Sequence, residues 1–154
     1  MIKYIESNNQ LLAIIIPHNF KKPGITFFTQ DNFSQQLAYM NHPSGKIIEP
    51  HVHNAIRREF NLTKEVLLLR KGKLRVDIYD SEYNYVESII LVEGDVILLA
   101  SGGHGFEALE EVEMFEIKQG PYAGEAGKTK FIGIKNKDIV IKGDCVDDKN
   151  DSCK

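Results

Sequence analysis

Residues 45–79 read GKIIEPHVHNAIRREFNLTKEVLLLRKGKLRVDIY, and the alternation within this stretch decides the fold. Leu74, Val76 and Ile78 alternate with Arg75, Asp77 and Tyr79, the period of two expected of a strand with one dry and one wet face. Just before them, Val66-Leu67-Leu68-Leu69 is a continuous apolar run, as in a strand covered on both sides. Arg70-Lys71-Gly72-Lys73 between the two reads as a hairpin turn. Upstream, residues 46–53 are expected to form a strand carrying His51 and His53 two apart, so that both imidazoles leave one face.

The same texture continues outward. Residues 11–16, 25–29 and 36–40 are short apolar or alternating stretches, bounded by Pro17, Pro23-Gly24, Asp31-Asn32 and the turn-rich residues 41–45. Residues 85–92, 96–99, 106–109 and 112–118 read as further strands, separated by a polar turn at 80–84, by Glu93-Gly94-Asp95 and by the glycine-rich 101–105. Residues 138–142 are a last strand candidate, and only residues 31–40 offer room for a short helix. Short strands at regular spacing predict an all-β sandwich or barrel. One domain over residues 1–143 is expected, followed by an Asp-rich tail, 144–154, predicted to be disordered.

Composition narrows the class. The chain has 154 residues, 42% hydrophobic and 27% charged, ordinary proportions for one globular domain. Lys plus Arg number 19 against 22 Asp plus Glu, a net charge of −3, so the basic excess of a nucleic-acid binder is missing. The longest apolar run, residues 11–16, is six residues against the ~20 of a membrane span. Glu6 argues against a signal peptide, and Cys145 and Cys153, both in the polar tail, read as free thiols of a cytoplasmic protein.

Three of the five histidines belong to one pattern. Glu65 opens the apolar run and, at the mouth of a buried strand, must be paired, protonated or metal-bound. His104 sits in a glycine-rich turn where missing side chains permit close approach. If their strands are neighbours in a closed sheet, His51, His53, Glu65 and His104 make a three-imidazole, one-carboxylate site suited to Fe(II), Mn(II), Ni(II) or Zn(II). Glu59 competes with Glu65 for the carboxylate place. His18 and His42 match nothing and read as surface residues.

These residues resemble the motifs of the cupin superfamily, small double-stranded β-helix barrels of the jelly-roll kind. The family's first motif, G-x5-H-x-H followed by E-x6-G, is met by Gly45, His51, His53, Glu65 and Gly72. Its second is approximated by Gly94, Gly102 and His104. Departures are the eleven residues between His53 and Glu65 where the family has three or four, and Ala100 and Ala108 at the proline and asparagine places. The match spans 45–108. Glu65-Val66-Leu67, residues 94–99 and Lys118-Gln119-Gly120-Pro121-Tyr122 are similar to cupins encoded among surface-polysaccharide genes.

The resemblance implies a divalent transition metal and a small polar substrate, with a sugar or sugar nucleotide as the first choice. An isomerase or epimerase is expected, in which Glu49, placed on the interior face by its parity with the histidines, or Glu59 moves a proton. Arg57, beside Arg58, is a candidate clamp for a carboxylate or phosphate. The alternatives are a non-catalytic saccharide-binding cupin, a metal-free sugar ketoisomerase using histidine as acid and base, and an iron-dependent dioxygenase. A homodimer formed through the N-terminal strands 11–16 and 25–28 is also expected, because their apolar content exceeds what a small barrel needs.

Overall fold

In the computed structural model, which describes residues 1–142, the apolar and alternating runs become ten strands. These are β1 (Lys3–Ser7), β2 (Gln10–Ile16), β3 (Gly24–Phe27), β4 (Ala38–Asn41), β5 (Glu65–Lys71), β6 (Lys73–Tyr79), β7 (Tyr85–Val92), β8 (Val96–Leu99), β9 (Gly103–Ala108) and β10 (Glu113–Lys118). Two 3-10 turns, Gly124–Gly127 and Asn136–Asp138, follow, and no α-helix forms among the described residues. The tail read as disordered, with Cys145 and Cys153, lies outside the described residues.

All strand pairs are antiparallel. A five-stranded sheet has the order β1-β2-β8-β5-β10, a three-stranded sheet the order β7-β6-β9, and β3 and β4 form a separate pair. The two larger sheets face one another but are not closed into a barrel. The main core lies between them, built from Leu12, Leu67, Leu69 and Ile97 on one side and Leu74, Val76, Ile78 and Leu91 on the other. A second apolar layer covers the far face of the five-stranded sheet, where Ile14, Ile16, Val66 and Leu98 meet Phe28 with Phe20, Leu37 and Tyr39 packed around it. Covering on both faces is why β2 and β8 read as unbroken apolar runs instead of alternating ones.

Several sequence expectations change. Arg70-Lys71-Gly72-Lys73 is no hairpin: β5 and β6 belong to different sheets, and Gly72 is where the chain crosses between them. Its φ is +84°, and a Cβ there would lie 2.0 Å from the Glu111 carbonyl oxygen, so only glycine fits this corner. The face of β6 expected to be wet is covered, with Asp77 6% and Tyr79 4% exposed. The cover is the C-terminal segment: the Phe131 ring meets Tyr79 edge-on at 5.0 Å, the Ile134 N–H donates to the Tyr79 hydroxyl, and Ser88 exchanges backbone bonds with Val140 and Lys142. Residues 138–142, expected as a strand, contribute a single parallel bridge, Ser88 to Ile141. The five-residue β1 is absent from the sequence pattern, because in Lys-Tyr-Ile-Glu-Ser only Ile5 is buried and the alternation carries one apolar tooth.

The largest correction concerns residues 46–53, which form no strand. Every residue from 43 to 63 is exposed and lies outside regular structure. A strand exists only where a neighbour completes its ladder, and Pro50, lacking an N–H, leaves a gap in any ladder drawn through the segment.

Candidate functional site

Glu65 is the first residue of β5, and its neighbours in register are Leu99 of β8 and Lys118 of β10. Parity with Leu67 and Leu69 turns its side chain toward the space between the sheets. His104 enters the same space from the other sheet, aligned with the buried Ile78. The turn before it makes this possible: Gly102 has φ +70°, and a Cβ there would sit 2.2 Å from the Tyr79 carbonyl oxygen, so glycine lets β9 start hard against β6. The two side chains meet with Glu65 Oε2 3.2 Å from His104 Nε2, and Lys118 Nζ lies 3.8 Å from Glu65 Oε1. The Phe106 ring flanks the imidazole at 5.1 Å. The side chains of Glu65 and His104 are 16% and 30% exposed, so the pair is sheltered yet reached by solvent.

Charge organises the pair. The hydrogen bond from His104 holds the Glu65 carboxyl below its ordinary range. Burial opposes this, while the electrostatic attraction of the His104 ring and of the Lys118 and Lys128 ammonium groups adds to it. Glu65 is therefore a carboxylate that can only accept, which assigns the hydrogen at this contact to His104 Nε2. Lys118 is held protonated by Glu116 beside it, with Glu65 contributing. Lys118 is the site residue that sequence reasoning misses as a functional group. Its strand is legible, but its place next to Glu65 follows from the β5–β10 register alone.

The other expected site residues lie elsewhere. His51 and His53 are close to one another, with ring centroids 5.3 Å apart, but on the exposed segment 43–63. His51 Nδ1 donates to the Glu49 carbonyl oxygen at 2.8 Å, leaving Nε2 as its lone-pair nitrogen. Glu49, expected on an interior face, is exposed because its segment is not a strand and has no parity to obey. Arg57 and Glu59 form an exposed ion pair with each other, 88% and 75% exposed. His53 and Arg58 border a depression with Phe27, Asp31, Phe33 and Gln36. Of the two histidines read as surface residues, His42 is partly buried, and His18 bonds the buried Asp95 through both its backbone N–H and Nδ1.

The expected metal donors thus form two pairs within one chain, Glu65 with His104 and His51 with His53. Among the described residues no group of three or more His, Cys, Asp or Glu side chains is placed to hold a metal ion. Beside Glu65 the next charged group is the Lys118 ammonium, which repels a divalent cation. A single chain in this arrangement does not fit the three-imidazole, one-carboxylate centre.

On the opposite face of the five-stranded sheet a cleft of about 530 Å³ is lined by Tyr4, Glu6, Gln10, Phe28, Phe33 and Lys64, among others. No helix among the described residues is long and apolar enough to cross a membrane. Compared with protein-family models, curated proteins and solved structures, the chain matches none.

Proposed function

We propose that this chain is a cupin-type enzyme that moves a proton on a small polar substrate, a sugar or sugar nucleotide of surface-polysaccharide synthesis, with His104 as acid and base and Glu65 as its anchor. The supporting observation is the contact of 3.2 Å between Glu65 and His104, two side chains brought from different sheets into a sheltered, solvent-reachable space. On this reading the two facing sheets are the halves of a small double-stranded β-helix.

The chemistry is that of a sugar ketoisomerase working through histidine. A C–H next to a carbonyl is acidified by the enolate it forms. The lone pair on His104 Nδ1 takes that proton, the C–H electron pair moves into the C–C bond, and the carbonyl oxygen carries the charge. The imidazolium then returns the proton on the same face to the neighbouring hydroxyl-bearing carbon while that hydroxyl's proton passes to the former carbonyl oxygen, so atoms and electrons balance with no oxidant. Glu65 stabilises the imidazolium while it exists and keeps the ring oriented, as a buried carboxylate does in hydrolytic triads. The ammonium of Lys118 offers the enolate oxygen a cation.

The test is solvent-deuterium incorporation. Wild-type protein incubated in D₂O with a panel of keto-sugars and sugar nucleotides should label one member at a C–H next to a carbonyl, read by proton NMR. His104→Ala should lower that rate about 100-fold or more, the usual size of general acid–base assistance. A variant that labels as fast as wild type, or a panel without exchange, sinks the proposal. The second reading, a non-catalytic saccharide-binding protein, draws on the outer cleft, where the rings of Tyr4, Phe28 and Phe33 beside Glu6 and Gln10 suit stacking and hydrogen bonding of a sugar. Saccharide binding abolished by Tyr4→Ala, without deuterium exchange, would favour it.

A further inference from the structure

The core between the sheets is incomplete along one side. β9 ends the three-stranded sheet and β10 ends the five-stranded one, and among the described residues each leaves one edge unpaired. Only four residues, 109–112, join the two strands, and His104 of β9 meets Glu65, the register partner of Lys118 on β10, at 3.2 Å, so the two edges run along the same side of the core. Phe106 is aligned with Val76, which is fully buried, and Met114 with Leu69, which is 1% exposed; yet Phe106 and Met114 are 42% and 40% exposed. Side chains that face the core by register but reach solvent mark a missing strand.

A segment of matching character lies unused elsewhere in the molecule. Residues 43–63 are exposed throughout and carry Ile47, Ile48, Val52, Ile56, Phe60 and Leu62 at 44–86% exposure. So long a stretch without regular structure or burial is uncommon in a compact domain. Laid along an edge, its period of two would put Glu49, His51 and His53 on one face and Ile48 and Val52 on the other, and Pro50 would restrict its ladder to one side, as an edge strand allows. Charges agree in sign: residues 103–118 hold five glutamates and one lysine, and the segment carries Lys46, Arg57 and Arg58 against Glu49 and Glu59, a net charge of +1.

Within its own chain the segment lies on the outer side. His53, Asn54 and Arg58 border a depression with Phe27, Phe33 and Gln36. Where it rejoins β5, the Lys64 N–H donates to Gln119 and the Lys64 ammonium to Ser34. We propose that residues 43–63 of a second copy fill the seam between β9 and β10, and reciprocally, so that His51 and His53 of one copy stand beside Glu65 and His104 of the other. The exchange is two-fold and self-complementary, and its 21 residues per side fall in the ~20–30 of a stable interface. The site is then composite, and a single chain holds half of it. This deepens the Glu65–His104 reading.

A crosslink that requires no activity tests the seam. In a Cys145→Ser, Cys153→Ser background, one tagged chain carries Val52→Cys and a differently tagged chain Gly105→Cys, a position where the nearest atoms to a new Cβ are 4.0 Å away. After mixing and oxidation, a disulfide-linked species bearing both tags is expected, and light scattering of the wild type should give twice the chain mass. A monomer mass, no crosslink, or only an internal crosslink in a chain carrying both cysteines overturns the proposal. In the composite site His51 and His53 hold the substrate beside His104, so neither a His51→Ala, His53→Ala chain nor a Glu65→Gln chain alone should exchange deuterium. Their mixture should recover about a quarter of wild-type exchange, since half of the dimers are mixed and each of those has one intact site of two. A two-tag crosslink in a protein that exchanges no deuterium would uphold the seam and sink the proton-transfer reading.

Discussion

Glu65 does two jobs that a single substitution separates. As an anion bonded to His104 it stabilises the fold, and in the proposed mechanism it anchors the imidazole. Because its pKa is lowered in the folded chain, that stabilisation is fully present above its unfolded value near 4.5 and is lost as pH falls through the lower folded value. Glu65→Gln should therefore narrow the stability gap to wild type progressively below about pH 4.5, a trend that urea titrations at neutral and acid pH would reveal. A gap that widened toward acid would contradict the assigned charge state. Lys118→Met removes the cation beside Glu65 and exposes little new surface. It should lower kcat in the deuterium assay while leaving the urea midpoint at the wild-type value, as for other exposed charges.

Individual elements are positioned by what lies on their faces. Gly72 ends β5 and starts β6 in different sheets, and its left-handed φ, with the Glu111 carbonyl oxygen 2.0 Å from where a methyl group would stand, admits no side chain. Gly72→Ala should cost about 2 kcal/mol or more, seen as a lowered urea midpoint with an unchanged slope. The C-terminal segment acts as a cover for β6 and β7. Beneath it Arg75 makes paired bonds to Asp77 at 2.9 and 3.1 Å, and Ser88 bonds the same carboxylate. Phe131→Ala should uncover Tyr79 and destabilise by roughly 1–3 kcal/mol, less than a full core truncation because Phe131 is partly exposed. No change in midpoint would mean that the segment lies loosely on the sheet.

At the scale of the molecule, two apolar layers share the five-stranded sheet, and protection should follow that layering. Strands β2, β5 and β8 are paired on both sides, whereas β3 and β4 form an isolated pair held by the outer cluster around Phe28. Amide hydrogen exchange should be slowest in β2, β5 and β8 and faster in β3 and β4, while residues 43–63 should be fastest in a monomeric sample and slowed in the dimer. Strong protection within 43–63 in a monomeric sample would mean that the segment pairs inside its own chain. The expectation that residues 11–16 form surplus surface for dimerisation does not hold, since β2 lies between β1 and β8 with Leu12, Ala13 and Ile14 fully buried. Ile25 and Phe27, 51% and 60% exposed, do remain outside.

Local patterning is legible without a structure. β7 and β8 fall on residues 85–92 and 96–99 as the alternation and turn residues indicate, and Glu65 and His104 stand out as a carboxylate and an imidazole on either side of long apolar runs. Period and turn chemistry depend on neighbours in the chain, which is why they can be read from it. Partnership is different. That β5 and β6 part company at Gly72, that Lys118 lies beside Glu65, that Asp77 is covered by residues far downstream, and that His51 and His53 stay outside were all decided by the tertiary structure. Each depends on which distant strand completes a ladder or buries a face, and the free energy of that choice is spread over the whole sandwich.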